Sequence, residues 1–389
     1  MNEVCFVRCL FIIFDQNTKM VETSIISKLI PMKEKLSSLK YMQAMILPLL
    51  AGISFNYYGW QSFLPVMWVF GAIPLLELLF KPDANNLTKE QEASKLSDSI
   101  YDIQIFLMVP IQLVVLAIFL ISMQEEGLLL VDKVGRITSM GVLCGVIGIN
   151  VGHELGHRNT WYEQLMAKIL LMTSLYMHFF IEHNRGHHKL VSTPEDPASA
   201  RYGEVLYTFW FRSIFGVYTL AWKLENERLR RKGLPVFSLK NEMIIYHLVQ
   251  IGLVIGIGLY FGWVTAGHFL IAAFMGYLLL ETVNYIEHYG LQREKKGDVY
   301  ERVMPHHSWN SDHIMGRLNL FELSRHSDHH YIASRKYQIL RHMDDSPQMP
   351  TGYPGMMLLS AVPPLWFSLM NPKVHEINEK KRLAELANN

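Results

Sequence analysis

Nine of the 17 histidines in this chain stand in four short clusters, which read HELGH, EHNRGHH, NYIEHYG and RHSDHH. The clustered histidines are His153, His157, His183, His187, His188, His288, His326, His329 and His330. Residues three or four apart lie on one face of a helix, so the spacing predicts that each pair or triple of imidazoles points in one direction. Neutral imidazole suits zinc, copper, nickel and iron, whereas calcium and magnesium prefer oxygen ligands. Nine nitrogen ligands are too many for one ion, so the clusters predict a site for two metal ions.

The acidic residues beside these clusters are predicted to support the ligands. Nine neutral imidazoles leave the charge of two divalent ions uncompensated, and a carboxylate that accepts the other ring N–H of a ligand offsets part of it. The candidates are Glu154, Glu182, Glu287, Asp328 and Asp196, with Glu322 a little farther off. The remaining histidines lack the spacing of the clusters, and we predict a structural role for them. They are His178, His247, His268, His306, His307, His313, His342 and His375.

The segments that must position the clusters are apolar. Half of the chain is hydrophobic and 18% is charged, whereas a soluble domain carries about 25% charged residues. Residues 41–80 contain one charged side chain and residues 243–280 contain none. Each run is long enough for two membrane helices of about 20 residues, with tight turns at 56–61 and 262–267. We therefore predict an all-α membrane protein with six transmembrane helices. Their predicted bounds are 41–58, 62–80, 103–123, 137–156, 243–262 and 267–288.

Smaller features complete this architecture. Three shorter apolar stretches, at 169–181, 205–222 and 356–370, predict interfacial helices packed against the bundle. Glycines recur inside two of the predicted spans, and in that setting they predict close helix packing rather than a nucleotide site. They are Gly141, Gly145, Gly148 and Gly152 in the fourth span, and Gly252, Gly256, Gly258 and Gly262 in the fifth.

The basic residues predict which side of the membrane each segment occupies. They cluster before the first span and in residues 223–240, whereas the two tight turns carry none, and basic loops stay in the cytoplasm. The predicted order is an N-terminal cytoplasmic segment (1–40), a six-span transmembrane domain (41–288) with a cytoplasmic insertion (157–242), and a C-terminal cytoplasmic segment (289–389) that completes the metal site. All four histidine clusters then share the cytoplasmic face. Lys133 and Arg136, in a predicted outer loop, oppose this orientation.

Several kinds of chemistry remain open at this point. HELGH alone fits a zinc protease with Glu154 as general base, but that site would leave most of the clustered histidines without a task. A metal transporter would hold its ligands near the middle of the membrane. A redox reaction needs iron or copper, because zinc does not change oxidation state. The net charge of +1 gives no support for nucleic-acid binding. The three cysteines form no CxxC pair, so electrons for a redox reaction must come from a partner.

The motifs also resemble those of a known group. HELGH, EHNRGHH and RHSDHH resemble the three histidine boxes of the integral-membrane di-iron desaturases and hydroxylases. Within that group, NYIEHYGL, TPEDPASAR (residues 193–201) and HSWNS (residues 307–311) are similar to the bacterial alkane 1-monooxygenases. The resemblance extends over roughly residues 40–345, and Arg158 stands where many relatives have lysine.

This resemblance implies a six-span enzyme of the bacterial inner membrane, with two non-haem iron ions held by histidines that match the nine named above. It implies terminal hydroxylation of medium-chain n-alkanes to primary alcohols, with O2 as co-substrate and electrons from rubredoxin, which an NADH-dependent rubredoxin reductase reduces. Related enzymes that act on aromatic methyl groups or fatty acyl chains are alternatives. An alkane would enter from the lipid bilayer between the spans, where Trp60, Trp68 and Phe70 are candidate wall residues, and rubredoxin would dock near residues 228–232.

Overall fold

The described part of the chain, residues 37–388 of a computed structural model, is mostly helical. Most of the predicted N-terminal segment, residues 1–40, lies outside the described residues. The helices are α1 (Leu39–Ser54), α2 (Gly59–Glu77), α3 (Lys89–Ser97), α4 (Ile100–Ser122), α5 (Leu130–Gly156), α6 (Trp161–Thr173), α7 (residues 179–190), α8 (Leu206–Arg231), α9 (Glu242–Phe261), α10 (Trp263–His288), α11 (Ile314–Asn319), α12 (His326–Tyr331), α13 (Tyr353–Ser360) and α14 (Pro363–Asn388). Strands β1 (Lys295–Lys296) and β2 (Val299–Tyr300) form an antiparallel hairpin, and short 3-10 helices lie at Pro305–His307 and Tyr337–Ile339.

Five helices among the described residues are long and apolar enough to cross a membrane, namely α2, α4, α5, α9 and α10. They correspond to the second to sixth predicted spans, so the chain is a multi-pass membrane protein. The first predicted span, 41–58, is the shorter apolar helix α1, and six spans are therefore not confirmed. Helix α1 ends at Ser54, where the side-chain amide of Asn56 donates to the carbonyl of Gly52 at 2.7 Å and terminates the helix.

The turn between the last two spans is shorter than the predicted turn at 262–267. Helix α9 ends at Phe261 and α10 begins at Trp263, so one residue reverses the chain. Gly262 has a φ of 84°, a left-handed conformation that glycine adopts without strain. The indole of Trp263 packs onto Gly258, where a Cβ would lie 2.6 Å from the ring. Two glycines thus allow the sharp reversal.

Helices α5 and α10 pack closely and run in the same direction. A Cβ at Gly141 would lie 2.7 Å from Met275 Cβ, and one at Gly145 would lie 3.2 Å from Leu279 Cβ. The numbers of the paired residues rise together, so the two helices are parallel and their C-terminal ends lie at one level. These ends carry HELGH and NYIEHYG. The prediction of close packing is confirmed for the glycines of the fourth span.

The same prediction is wrong for three glycines of the fifth span, one of which, Gly262, lies in the turn and would have no neighbour within 4 Å of an added Cβ. A Cβ at Gly252 or Gly256 would have no neighbour within 4 Å, because both residues are exposed on the outer face of α9. This helix lies at the edge of the bundle, where one side faces away from the protein. A glycine pattern alone does not tell the inner side of a helix from the outer side.

The three predicted interfacial stretches belong to helices that begin and end elsewhere. Residues 169–181 are divided between α6 and α7, and residues 205–222 form the first part of the longer α8. Residues 356–370 are divided between α13 and α14, because Pro363 is favourable at the start of a helix. None of these described helices reaches the length and apolar character of a span.

The structure shows that Arg136, whose charge opposes the predicted orientation, has a structural role. Its side chain is fully buried. The guanidinium pairs with Glu125 at 2.9 Å and donates to the carbonyl of Ser122 at 2.7 Å. Arg136 is therefore a neutralised structural residue at the start of α5 and not a free loop charge of the kind that the orientation rule counts.

The contact between α5 and α10 predicts different effects for two glycine substitutions. A Cβ at Gly276 would lie 2.5 Å from Cys144 Cβ and 3.0 Å from the backbone of α5, and overpacking of this kind costs about 1–3 kcal/mol. We expect Gly276→Ala to lower the melting temperature of the detergent-solubilised protein, measured by tryptophan fluorescence. Gly256→Ala is the matched control, and it should leave the melting temperature unchanged or raise it, since alanine favours helix. Equal melting temperatures for the two variants would contradict the proposed packing.

Candidate metal centre

Four segments bring the clustered histidines to one place. His153 is the fourth residue from the end of α5, which His157 directly follows, and His288 is the last residue of α10. Helix α7 supplies His183, His187 and His188, and α12 supplies His326, His329 and His330. Hydrogen bonds from the loops connect these ends. The backbone N–H of Trp309 donates to the Glu287 carbonyl at 2.8 Å, and the Ser192 hydroxyl donates to the His307 carbonyl at 2.7 Å.

Five histidines form the first group, and their ligand atoms lie within 4.8 Å of one another. They are His153, His157, His183, His188 and His329. Their Nε2 atoms follow one another around a closed ring, each 3.0 or 3.1 Å from the next. Two ligands at right angles around an ion, each about 2.1 Å away, are about 3.0 Å apart. The spacing of the ring therefore fits a single metal ion at its centre.

Hydrogen bonds alone cannot stabilise this ring. The Nε2 of a neutral imidazole either carries a proton and donates, or carries a lone pair and accepts. Because the ring has five such atoms, donors and acceptors cannot alternate all the way around it. At least two neighbours must both be donors or both be acceptors. At least one contact near 3.0 Å is then repulsive, whereas five lone pairs that point at a cation are all satisfied. The chemistry of the donor set thus fits a metal.

The second group contains His187, His288, His326 and His330, and all four are buried. His326 Nε2 lies 3.2 Å from His288 Nε2. Among the described atoms, His187 Nε2 and both ring nitrogens of His330 have no hydrogen-bond partner. Buried polar atoms normally have partners, so His187 Nε2 and one ring nitrogen of His330 also fit a bound cation. The ring centroids of His188 and His330 are 4.5 Å apart, so the two groups adjoin.

The prediction that each cluster points in one direction is wrong for two clusters. In EHNRGHH, His183 and His188 join the first group and His187 joins the second. Residues 183–187 form a π-helical turn, whose hydrogen bonds join residues five apart and so favour a common side for His183 and His188. In RHSDHH, His329 joins the first group while His326 and His330, one turn apart, join the second.

The imidazoles outside the spans are held in the neutral form that binds metals. Burial lowers the pKa of His183, His188 and His329 well below the usual value for histidine, and neighbouring imidazoles lower it further. The site is therefore a buried set of uncharged nitrogen ligands, and two divalent ions would bring positive charge into it.

Two of the predicted carboxylates contact the clusters. Asp196 accepts a hydrogen bond from His187 Nδ1 at 2.9 Å, which leaves the Nε2 of that ring free for a metal. Glu287 Oε2 lies 3.2 Å from His326 Nε2, and its other oxygen accepts the hydroxyl proton of Tyr353 at 2.6 Å. Both carboxylates are buried beside the second group, where their negative charge offsets that of a bound cation.

Three other carboxylates form pairs with arginines instead of histidines. Glu154 accepts two hydrogen bonds from Arg158, at 3.0 and 2.6 Å, which does not suit the free general base of a zinc protease. Asp328 pairs with Arg335. Glu322 accepts a hydrogen bond from Arg317 Nε at 2.6 Å. The pKa of Glu322, which burial alone would raise, falls to about 2 because of Arg317 and Lys40. These pairs fix the segments that flank the histidines.

Several histidines outside the clusters have partners within the chain. His178, His247, His342 and His375 form hydrogen bonds with Tyr277, Tyr218, Asp312 and Tyr202. Glu301, His306 and His307 form a third group with metal-like spacing. However, His307 Nε2 lies 3.1 Å from Glu301 Oε1, and its Nδ1 accepts the Met304 N–H at 3.0 Å. Both ring nitrogens of His307 are thus used by the chain itself, which suits the structural role expected for it.

Sequence analysis missed two residues near the second group. Glu281 is fully buried inside α10, and it accepts the hydroxyl proton of Tyr176 at 2.8 Å. A signal for Glu281 was present, because an ionisable residue inside a predicted span marks a functional site by default. No sequence signal connected Tyr176 with it, since they are 105 positions apart.

An apolar cavity of about 60 Å³ lies between the helices, and none of the nine clustered histidines lines it. Its walls come from α1, α2, α5, α10, α11 and α13, and they include Val69 and Phe70. Asn150 lines it one turn before His153, and Tyr353, the partner of Glu287, lines it as well. Of the three candidate wall residues, Phe70 lines the cavity, Trp68 does not, and Trp60 is 64% exposed.

Comparison with known proteins places this arrangement in a family. A helical membrane protein that gathers motif histidines into two adjoining groups has the features of the histidine-box membrane oxidoreductases. The fatty acid desaturase family matches residues 134–359. Alkane 1-monooxygenase 1 of Pseudomonas aeruginosa is 45% identical over 348 residues, which cover 86% of this chain and 91% of that protein. Alkane 1-monooxygenase 2 of the same organism is 43% identical over 322 residues, covering 82% and 85%.

The chain therefore belongs to the fatty acid desaturase family and, within it, to the alkane 1-monooxygenases, which confirms the resemblance of the motifs. A more distant relative is the xylene/toluene monooxygenase hydroxylase component XylM of Pseudomonas putida. It is 29% identical over 350 residues, which cover 89% of this chain and 91% of that protein.

The two groups predict separate losses of metal. We expect the purified protein to contain two metal ions per chain, and His183→Ala or His187→Ala to retain about one, because each removes a ligand from one group only. His375→Ala changes an exposed histidine outside both groups and is the control, which should retain two. Elemental analysis by mass spectrometry of the purified variants measures this. Full metal content in either of the first two variants would contradict the assignment of that group.

Proposed function

We propose that this protein hydroxylates the terminal carbon of medium-chain n-alkanes to primary alcohols, with O2 as co-substrate and two non-haem irons as cofactor. The observation that carries this proposal is the convergence of nine histidines into two adjoining groups, with an apolar cavity whose wall contains Asn150, one turn before His153. The names of the 40–45% identical relatives point to the same reaction.

The nine histidines would hold the metals, five at one ion and four at the other. Iron is the proposed metal because oxygen activation needs a change of oxidation state, which zinc cannot supply. The protein's own contribution is to keep the imidazoles neutral, to orient His187 through Asp196, and to place Glu287 beside His326. Burial of all four members of the second group keeps bulk water from that group.

The cavity suits a hydrocarbon chain that enters with its methyl end first. Each methylene favours an apolar environment by about 0.8 kcal/mol, so an alkane concentrates in the bilayer. Val69, Phe70, Val146 and Leu279 offer it apolar contacts between the spans. Asn150, one turn before His153, lies in the cavity wall, and we propose that the terminal carbon is the part of the substrate that approaches the metals.

Electrons must come from a partner, and we propose rubredoxin with its NADH-dependent reductase. Cys144, the one cysteine among the described residues, is buried and unpaired, so this part of the chain contains no iron–thiolate carrier. Arg230, Arg231 and Lys232 are exposed at the end of α8 and offer a basic docking surface. With these basic residues in the cytoplasm, the metal centre lies on the cytoplasmic side of a bacterial inner membrane.

Product analysis tests the proposed function. Cells that express the chain with rubredoxin and its reductase are fed a series of n-alkanes under labelled O2, and products are identified by gas chromatography with mass spectrometry. We expect primary alcohols that carry the labelled oxygen, and no product without rubredoxin or with His183→Ala. Hydroxylation of xylene or toluene in place of alkanes would favour the chemistry of the more distant relative. Label from water and not from O2 would contradict a monooxygenase.

A further inference from the structure

Glu281 has an unusual environment for a carboxyl group inside a membrane helix. It is fully buried in α10, and no lysine or arginine among the described residues forms an ion pair with it. Tyr176 donates to its Oε1 at 2.8 Å, and the side-chain amide of Asn284 lies 3.5 Å from its Oε2. An ionisable group inside a membrane is costly and commonly marks a path for ions or protons.

Imidazoles and hydroxyls lie in a line between Glu281 and the start of α9, and neighbours along it are joined partly by hydrogen bonds and partly by ring contacts. His178 Nε2 lies 3.0 Å from the hydroxyl of Tyr277, and the rings of Tyr277 and Tyr176 are in contact, with centroids 3.7 Å apart. On the other side, the ring of Tyr218 packs edge-on against His178, with centroids 5.4 Å apart. The hydroxyl of Tyr218 lies 2.9 Å from His247 Nε2. His247 is half-buried near the start of α9, so the line begins close to solvent.

The inner end of the line approaches the second histidine group. Glu281, Asn284 and His288 are spaced by three and four residues, so they follow one another along a single face of α10. The other polar groups that face Glu281 are Glu182 of α7, Ser213 of α8 and His187. The first histidine group borders the surface at His157 and His188, which are half-buried, whereas all four members of the second group are buried.

We propose that this line carries protons from the start of α9 to Glu281, and that Glu281 passes them toward the second histidine group. The inference rests on the proposed function, because that reaction consumes protons. One oxygen atom of O2 enters the alcohol and the other is reduced to water, with two electrons from the electron-carrier protein and two protons from solvent. In each transfer the O–H bond of Tyr176 breaks as one forms on Glu281, and Tyr176 regains a proton from Tyr277 and the groups behind it.

The test compares Glu281→Gln with Glu77→Gln in the metal-loaded protein. Glutamine keeps the size of the side chain and accepts from Tyr176, but it does not release a proton as a carboxyl group does. Glu77 is a matched control, because it is also buried in a span, accepts the Gly316 N–H at 2.8 Å, and has no contact with the line. We expect Glu281→Gln to lower kcat by about tenfold or more, with KM for alkane unchanged and a larger rate ratio between H2O and D2O. Glu77→Gln should keep the wild-type ratio, and Glu281→Asp should recover part of the rate.

A second readout needs no substrate. Reduction of the metal centre should change the infrared signal of a protonated carboxyl group in the wild type and in Glu77→Gln, but not in Glu281→Gln, while each protein retains two metals. Loss of metal in Glu281→Gln, a wild-type rate with an unchanged H2O/D2O ratio, or retention of the infrared signal would each overturn the relay. If the wild type makes no alcohol from alkanes, the proposed function fails, and the infrared signal still decides whether Glu281 exchanges a proton.

Discussion

The structure depends on one constraint, which is that buried imidazole lone pairs can face each other only around a cation. Five Nε2 atoms approach to 3.0 or 3.1 Å in a closed ring, and an odd ring cannot alternate donors and acceptors. Beside it, the second group leaves buried ring nitrogens without partners. Without metals this arrangement would combine repulsion with unsatisfied polar atoms, and both are costly inside a protein. With metals, the same atoms become the ligands of two adjoining ions.

The rest of the fold brings four distant segments to this point. Close packing at Gly141, Gly145 and Gly276 holds the parallel helices α5 and α10 together, with their histidine-bearing ends at one level. Glu154 pairs with Arg158 at the end of α5, and Asp328 pairs with Arg335 beside the ligands of α12. The apolar cavity has Asn150, one turn before His153, in its wall, and Glu281 lies on α10 two turns before His288. In the two proposals, substrate and protons reach one centre by separate routes.

Much of this arrangement could be predicted from the sequence, because it rests on local patterns. The charge-free runs predicted the five helices that are long enough to cross a membrane. The spacing of the histidines identified the nine residues that converge. The division of the ligands could not be predicted, since it depends on the π-helical turn at residues 183–187 and on how α7 and α12 approach each other. The short α1 ends at a local cap made by Asn56, and Gly252 faces outward although its spacing matches that of packed glycines. Tyr176 and Glu281 meet only through the tertiary fold.

The most direct test of the account is an anomalous difference map of the purified protein, recorded at the iron absorption edge. We predict two separate peaks, one at the centre of the ring that contains His153 and His329, and one among His187, His288, His326 and His330. A single peak, or a peak beside His307 with none in either group, would contradict the claim that these histidines hold two metals.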